Sequence, residues 1–367
     1  MTETQTRLLM NRQRFEDMHV DSTPAPSAKD GEVVLALDRF SLTVNNVTYA
    51  AFGEALRYWD FFPTGIDGQG LLPVWGYANV VDSEVEGIEV GQRYFGYFPS
   101  ATHLVVKPGK TGARSFRDES AHRADLPEVY NWYQRSDNDP FQSEAAESLH
   151  AIFRPLFVTA FGLSDFLADE NFFGAKQVVI SSASSRTGYS EAFSLRMQSE
   201  DIELIGLTSA GHRDFVEGLG LYSKVLAYDD LEQLDPDRPT VYVDVAGNTE
   251  VQRRVHQHFG EQLVHDAALG AAHTHEPPQP DEDLPGARPV FFFAPVWVAR
   301  RQKEWGPEEF NRRVGEAVAA FFQHVMKHRL IEIREQQGFE AAREVLTEML
   351  DGRTDPAIGH VIRLKAD

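Results

Sequence analysis

Residues 175–195 read AKQVVISSASSRTGYSEAFSL. The run 176–182 (KQVVISS) has the length and composition of a buried strand, a turn of small residues follows, and a helical pattern opens at Gly188. In a dinucleotide fold, the turn after the first strand brings backbone N–H groups against a pyrophosphate, and small residues permit that approach. The usual G-x-G-x-x-G positions fall on Ala183, Ser185 and Gly188, so only the last glycine stands. Alone this motif is weak, because a strand–turn–helix with no ligand has the same pattern.

The flanking sequence keeps the same rhythm. Apolar strand patterns recur at 202–208 (IELIGLT), 224–228, 241–245 (VYVDV), 262–265 and 290–294 (VFFFA), with helical patterns at 214–219 and 250–259. Strands alternating with helices make βαβ units and a parallel sheet. A long helix is expected over 307–328, with Pro307 in its first turn, and another over 340–350, stopped by Gly352. A short strand at 360–364 closes the chain, and no internal repeat is present.

The first hundred residues differ. Short runs at 32–37 (EVVLAL), 73–81 (PVWGYANVV), 94–98 and 103–106 (HLVV) are separated by turns such as Gly91-Gln92-Arg93 and Lys107-Pro108-Gly109. They predict a small barrel-like β domain. Residues 111–148 are polar, charged and aromatic without clean periodicity. They read as an exposed excursion on that domain, or as a lid or dimer contact, since Tyr130, Trp132 and Tyr133 are costly to leave in water. Residues 273–288 (HTHEPPQPDEDLPGAR) are proline-rich and acidic and are expected to form a loop. Its opening, His273-Thr274-His275-Glu276, is the one metal-like cluster, and its local spacing favours a solvated loop over a ligand set. The domain division expected is 1–150 (β-rich, with the insertion at about 111–148), 151–306 (dinucleotide-binding), and 307–367 returning to the first domain.

Composition narrows the function. The chain has 367 residues, 42% of them hydrophobic, enough for about two domains with cores. The net charge of −21 argues against nucleic acid or an anionic membrane as partner. The absence of cysteine excludes disulfides, thiolate nucleophiles, iron–sulfur clusters and Cys-ligated zinc. No run approaches the ~18–20 apolar residues of a membrane span, and the start, MTETQTRLLMNRQRF, lacks the apolar core of a signal peptide. A soluble, cytoplasmic protein is expected.

Several segments together resemble the medium-chain dehydrogenase/reductase superfamily, in its zinc-independent branch of quinone reductases and enoyl-thioester reductases. In that branch the turn commonly reads A-A-G-G-V-G, aligning with Ala183-Ser184-Ser185-Arg186-Thr187-Gly188. The stretch GLTSAGHRDFVEGLGLYSKVLAYDDL (206–231) resembles the second strand, helix and third strand, and VDVAG (243–247) the fourth. SLTVNNVTYAAFG (41–53), carrying Asn46 and Tyr49, resembles the N-x-x-D-x-Y-x-x-x-G segment; Thr159-Ala160 and the closing GHVIRL (359–364) also match. The resemblance implies an α/β protein: a GroES-like β-rich domain plus a Rossmann doubly wound parallel sheet, commonly a homodimer. Lacking Cys, the chain departs from the zinc-binding alcohol dehydrogenases, and no metal is expected.

The six turn residues Ala183, Ser184, Ser185, Arg186, Thr187 and Gly188 are thus the expected cofactor cradle, with Arg186 placed to neutralise a pyrophosphate. A site preferring NAD usually carries Asp or Glu at the end of its second strand. Here Thr208, Ser209 and Arg213 offer hydroxyls and a cation instead, and Lys224 a second cation, which favours NADP(H).

Hydride transfer to an enone, enoyl thioester or quinone leaves negative charge on oxygen, to be stabilised and protonated. The resemblance implies a tyrosine acid; the candidates are Tyr49 and Tyr58, with Asn46 orienting nicotinamide or substrate. Both tyrosines equally suit the core of the β domain. Phe291-Phe292-Phe293, Trp297 and Trp305 suit either a cleft wall or core packing, and Arg300-Arg301 either an anionic tail or solvent. Three functions remain open: a reductase acting on a small molecule, a non-catalytic nucleotide-binding relative, and a partner-binding protein that holds no nucleotide.

Overall fold

The computed structural model describes residues 4–112, 114–136, 143–269 and 284–364. The metal-like cluster at 273–276 lies outside them. The chain forms two compact units, Met1–Ile152 with Ile333–Asp367, and Phe153–Glu332.

The first unit opens with strands β1 (Thr4–Asn11), β2 (Met18–Pro24) and β3 (Val33–Leu42), then helix α1 (Val44–Ala51). Strands β4 (Gln69–Leu71), β5 (Pro73–Ser83), β6 (Arg93–Pro99), β7 (His103–Val106), β8 (Pro108–Gly109), β9 (Ser115–Asp118) and β10 (Trp132–Arg135) follow. β1 joins β2 and β4 in a three-stranded sheet. The pair β3–β5 anchors the larger sheet, with Val33, Val34, Leu35 and Val74 sealed from solvent.

The described part of 111–148 is not an exposed excursion. β9 and β10 extend the larger sheet beyond β6. Phe116 and Tyr133 are fully buried, and Tyr130 nearly so. Gly96 makes room for the Tyr133 ring, and the Tyr133 hydroxyl donates to the Tyr97 carbonyl at 2.9 Å. Arg123, also buried, pairs with Asp118 at 3.2 Å and lies 4.8 Å from the Phe62 ring centre. The polar letters hid a strand pair whose charges neutralise one another inside the unit.

Helix α2 (Glu144–Asp169) crosses the boundary between the units and carries Pro155 within it. Contrary to the sequence expectation, it is long and apolar enough to span a membrane; most of that stretch is buried in the protein, as in a core helix.

The second unit continues with β11 (Gln177–Ile180), α3 (Arg186–Gln198), β12 (Glu203–Thr208), α4 (Arg213–Gly218), β13 (Lys224–Ala227), β14 (Thr240–Asp244), α5 (Thr249–Phe259), β15 (Leu263–Ala268), β16 (Pro289–Phe291), α6 (Ala294–Trp305) and α7 (Pro307–His328). Its six strands are parallel, in the order β13-β12-β11-β14-β15-β16. The order reverses between β11 and β14, the switch point where open α/β sheets bind ligands at the strands' carboxyl ends. Val178, Val179, Ile180, Val241, Tyr242 and Val243 are fully buried, as strands covered on both faces require.

α7 belongs to this second unit, so the return to the β-rich unit begins at 333 and not at 307. There β17 (Glu332–Gln337), α8 (Gly338–Leu350) and β18 (Ile358–Arg363) follow, and β18 pairs antiparallel with β3. Trp297 and Phe310 pack as core of the second unit. Arg300 and Arg301 pair along α6 with Asp165, Asp169 and Glu304.

Candidate functional site

The turn after β11 is built by short-range bonds. Ser182 takes a left-handed φ of 49°, and its N–H donates to the Tyr228 hydroxyl at 2.9 Å. Ser185 caps α3, its Oγ accepting the Gly188 N–H at 3.1 Å. The first N–H groups of any α-helix have no acceptor within it, so Arg186 and Thr187 open an anion-favouring end. Arg186 itself is 8% exposed, its side chain folded into the protein and not extended toward solvent. Ala183 is fully buried; its carbonyl accepts the Tyr222 hydroxyl at 3.1 Å.

At the end of β12 three polar side chains meet. Thr208 Oγ1 donates to Ser184 Oγ at 3.3 Å, and Ser184 Oγ lies 3.3 Å from His212 Nδ1. Thr208 and Ser184 are buried, while His212 is half-exposed. Ser209 and Arg213 are exposed beside them, with Arg213 Nε 2.9 Å from Glu217 Oε1. That pairing holds the Arg213 guanidinium above its usual range.

Lys224 does not join this group. It pairs in register with Ile205, whereas Thr208 pairs with Ala227. Three residues of strand separate them, roughly 10 Å, and its Nζ lies 3.4 Å from the Gln233 carbonyl. Strand register therefore keeps Lys224 from serving as the second cation at Thr208.

Sequence reasoning passed over His212, Tyr222 and Tyr228, all present in the 206–231 stretch. It also passed over Glu191, fully buried on α3, with neither carboxylate oxygen hydrogen-bonded among the described residues. Burial pushes that carboxyl well above the ordinary range. A glutamate in a helix of mixed pattern gives no signal that it faces inward.

In the first unit the candidate tyrosines belong to an aromatic cluster. The Tyr49 and Tyr58 rings are 4.8 Å apart, Tyr97 and Tyr130 also 4.8 Å, and Tyr49 and Tyr97 5.5 Å. Tyr49 Oη accepts the Trp75 Nε1–H at 3.0 Å, and the Tyr58 and Tyr130 hydroxyls are 3.3 Å apart. Burial raises all four phenols, so each stays protonated through the neutral range. Asn46 does not reach into this group. Its Oδ1 accepts the Thr43 N–H at 2.8 Å and its Nδ2 donates to the Pro73 carbonyl at 2.9 Å, tying the start of α1 to β5. Asn46 is 4% exposed, and each end of its amide makes one of these backbone bonds. Among the described residues no group of His, Asp and Glu could hold a metal ion.

The parallel sheet with its switch point and the β-rich unit make up a fold that solved structures share over nearly the whole chain. CurA of Vibrio vulnificus in complex with NADPH matches with a TM-score of 0.62 at 14% identity, over 99% of this chain and 100% of that one. The yhdH oxidoreductase of Salmonella enterica in complex with NADP matches at 0.55 and 13%, over 98% and 100%. A mutant enoyl thioester reductase of Candida tropicalis matches at 0.57 and 10%, over 98% and 99%. No curated protein matches by sequence. The model of the family described as "Protein of unknown function (DUF2855)" matches residues 40–355, and the chain belongs to that family.

Proposed function

We propose that the protein is a zinc-independent, NADP(H)-dependent oxidoreductase that transfers hydride to an activated double bond or carbonyl of a small molecule: an enone, an enoyl thioester or a quinone. The observation that carries this reading is the Thr208–Ser184–His212 group at the end of β12, where a carboxylate would select NAD(H). Solved relatives of the fold carrying NADPH or NADP support it.

The residues suit that cofactor. The Ser185-capped end of α3 would take the pyrophosphate, and Gly188 leaves the turn its close approach to the helix. Hydroxyls and imidazole would take the 2′-phosphate, with Arg213 alongside. When bound, the reduced nicotinamide supplies the hydride. Tyr58 would supply the proton: its Oη keeps its hydrogen through burial and has Tyr130 Oη 3.3 Å away to share the charge left behind. The proposal extends to a cytoplasmic protein and to a homodimer; the homodimer is supported by β16, an edge strand among the described residues with Val290 and Phe291 about half exposed.

One observation favours a non-catalytic nucleotide-binding relative: the Ser182 N–H is already taken by Tyr228, in a turn short of two glycines. The test is thermal melting with NADPH and NADH, then loss of NADPH absorbance with enones, enoyl thioesters and quinones. Ligand at ~100 times its Kd adds about 2.7 kcal/mol of stability. The reading expects a shift with NADPH, little with NADH, and turnover that Tyr58→Phe lowers about 10²-fold or more. NADPH binding without turnover would favour the non-catalytic relative; no shift with either nucleotide would remove the cofactor reading.

A further inference from the structure

We infer that His212 makes recognition of the cofactor's 2′-phosphate dependent on a proton, so that the choice between NADP(H) and NAD(H) is set by pH. This rests on the NADP(H) reading above and goes beyond it by naming the group that regulates the site.

The hydrogen-bond directions carry the inference. Thr208 Oγ1 donates to Ser184 Oγ at 3.3 Å, so the Ser184 oxygen is already an acceptor. Ser184 has one hydroxyl hydrogen, and His212 Nδ1 stands 3.3 Å away. With His212 neutral and Nδ1 unprotonated, that hydrogen is spent on the imidazole, and the group shows an anion only the His212 Nε2–H. With His212 protonated, Nδ1 becomes a donor and Ser184 Oγ accepts from both neighbours. Its own hydroxyl hydrogen then has no acceptor within the group and turns outward. One proton thus adds a positive charge and a second hydrogen-bond donor together, and both are what a phosphate monoester uses.

The burial pattern fits a relay. Ser184 is 8% exposed and Thr208 1% exposed, which fixes their positions, whereas His212 is half-exposed at the rim and can exchange protons with solvent. On taking a proton an imidazole goes from one N–H donor to two. The other charges around it do not substitute for it. Arg213, next in the chain, is engaged by Glu217, with Asp214 and Asp230 also acting on it. Arg186, at the start of the neighbouring helix, is buried.

The test is calorimetric titration of the full-length protein with NADPH and with NADH, at pH 6.5, 7.5 and 8.5, each in two buffers of different ionisation enthalpy. NADH serves as reference for every pH effect shared by the two dinucleotides. The wild type should take up a proton on binding NADPH near pH 7.5 and not on binding NADH. Its preference for NADPH should fall about tenfold from pH 6.5 to 8.5, an ordinary coupling between two bound species. His212→Gln should lose the proton uptake and hold a preference that varies only as the phosphate's own ionisation dictates. Ser184→Ala, which keeps the imidazole and removes the relay, should retain the uptake with a weaker preference at every pH. If wild type and His212→Gln bind NADPH with the same uptake and the same pH profile, the inference is overturned while the NADP(H) reading stands. If the wild type binds neither dinucleotide, the cofactor reading itself falls and takes the inference with it.

Discussion

Gly188 lies against Ser182 so closely that a Cβ on residue 188 would stand 2.5 Å from the Ser182 carbonyl oxygen. The obstacle is backbone, at the base of the turn that the site is built on. Gly188→Ala is therefore expected to cost about 1–3 kcal/mol by overpacking and to abolish any stabilisation by NADPH. Gly211→Ala is the control, because nothing lies within 4 Å of its would-be Cβ. Thermal melts of both variants with and without NADPH check this. A Gly188→Ala protein that melts and binds like the wild type would show that the turn has slack.

Glu191 should make the protein less stable as the pH rises. Burial raises its carboxyl well above the ordinary 4.5. Below about that value the side chain is neutral in both folded and unfolded chains. Above it the unfolded chain ionises and the folded one does not, so this group subtracts stability with each step up in pH. Glu191→Met, of similar volume and apolar, is expected to stabilise by about 1–3 kcal/mol at pH 8 and by less at pH 5. Urea midpoints at the two pH values decide it; equal effects at both would mean the carboxyl ionises freely in the fold.

His256 on α5 is fully buried between two acceptors. Its Nε2 is 2.8 Å from Asp266 Oδ2 and its Nδ1 2.8 Å from the Pro285 carbonyl. Burial alone would lower its pKa, but these two bonds outweigh it and hold the imidazole above its ordinary 6.5. Stability from this source is complete below 6.5 and is lost as the pH rises through the raised value. His256→Gln is expected to cost about 1.5–3 kcal/mol at pH 6, the worth of a charge-assisted bond, and distinctly less at pH 8.5. A penalty independent of pH would point to packing alone.

The Arg123–Asp118 pair, 1% exposed on both sides, is the third buried charge to test. Arg123→Met leaves the carboxylate uncompensated and should cost about 3–5 kcal/mol. Asp118 Oδ1 also accepts from the Lys107 N–H and from Ser120, roles an asparagine oxygen can keep. The double variant Arg123→Met/Asp118→Asn should recover much of the loss in denaturant titration. No recovery would assign the penalty to the lost guanidinium packing over Phe62.

The parallel sheet was legible because β11, β12 and β14 are short apolar runs separated by turns and helices, a pattern that burial on both faces imposes. β1 and β2 were not, since TQTRLLMN and MHVDSTP carry half-exposed polar residues. β9 and β10 were hidden for a different reason: Arg117, Asp118 and Arg123 look like surface residues until their partners are known. At the candidate site, motif position was enough to expect the turn beside Thr208, whereas the separation of Lys224 from Thr208 follows only from strand register. The roles of Asn46, Glu191 and His212 depend on which neighbour each side chain meets, and one-dimensional spacing does not carry that.

The β-rich unit is assembled from both ends of the chain. β3 takes β18 as a neighbour, from His360 opposite Leu42 to Arg363 opposite Arg39. During synthesis the intervening Phe153–Glu332 unit takes on the order of ten to thirty seconds to emerge at ~5–20 residues per second. Through that interval the Arg39–Leu42 half of β3 waits without its β18 neighbour, while the Val33–Ala36 half is paired with β7. The pace of translation across the middle of the chain, not the stability of the finished sheet, therefore governs how long this protein is exposed to misassembly at birth.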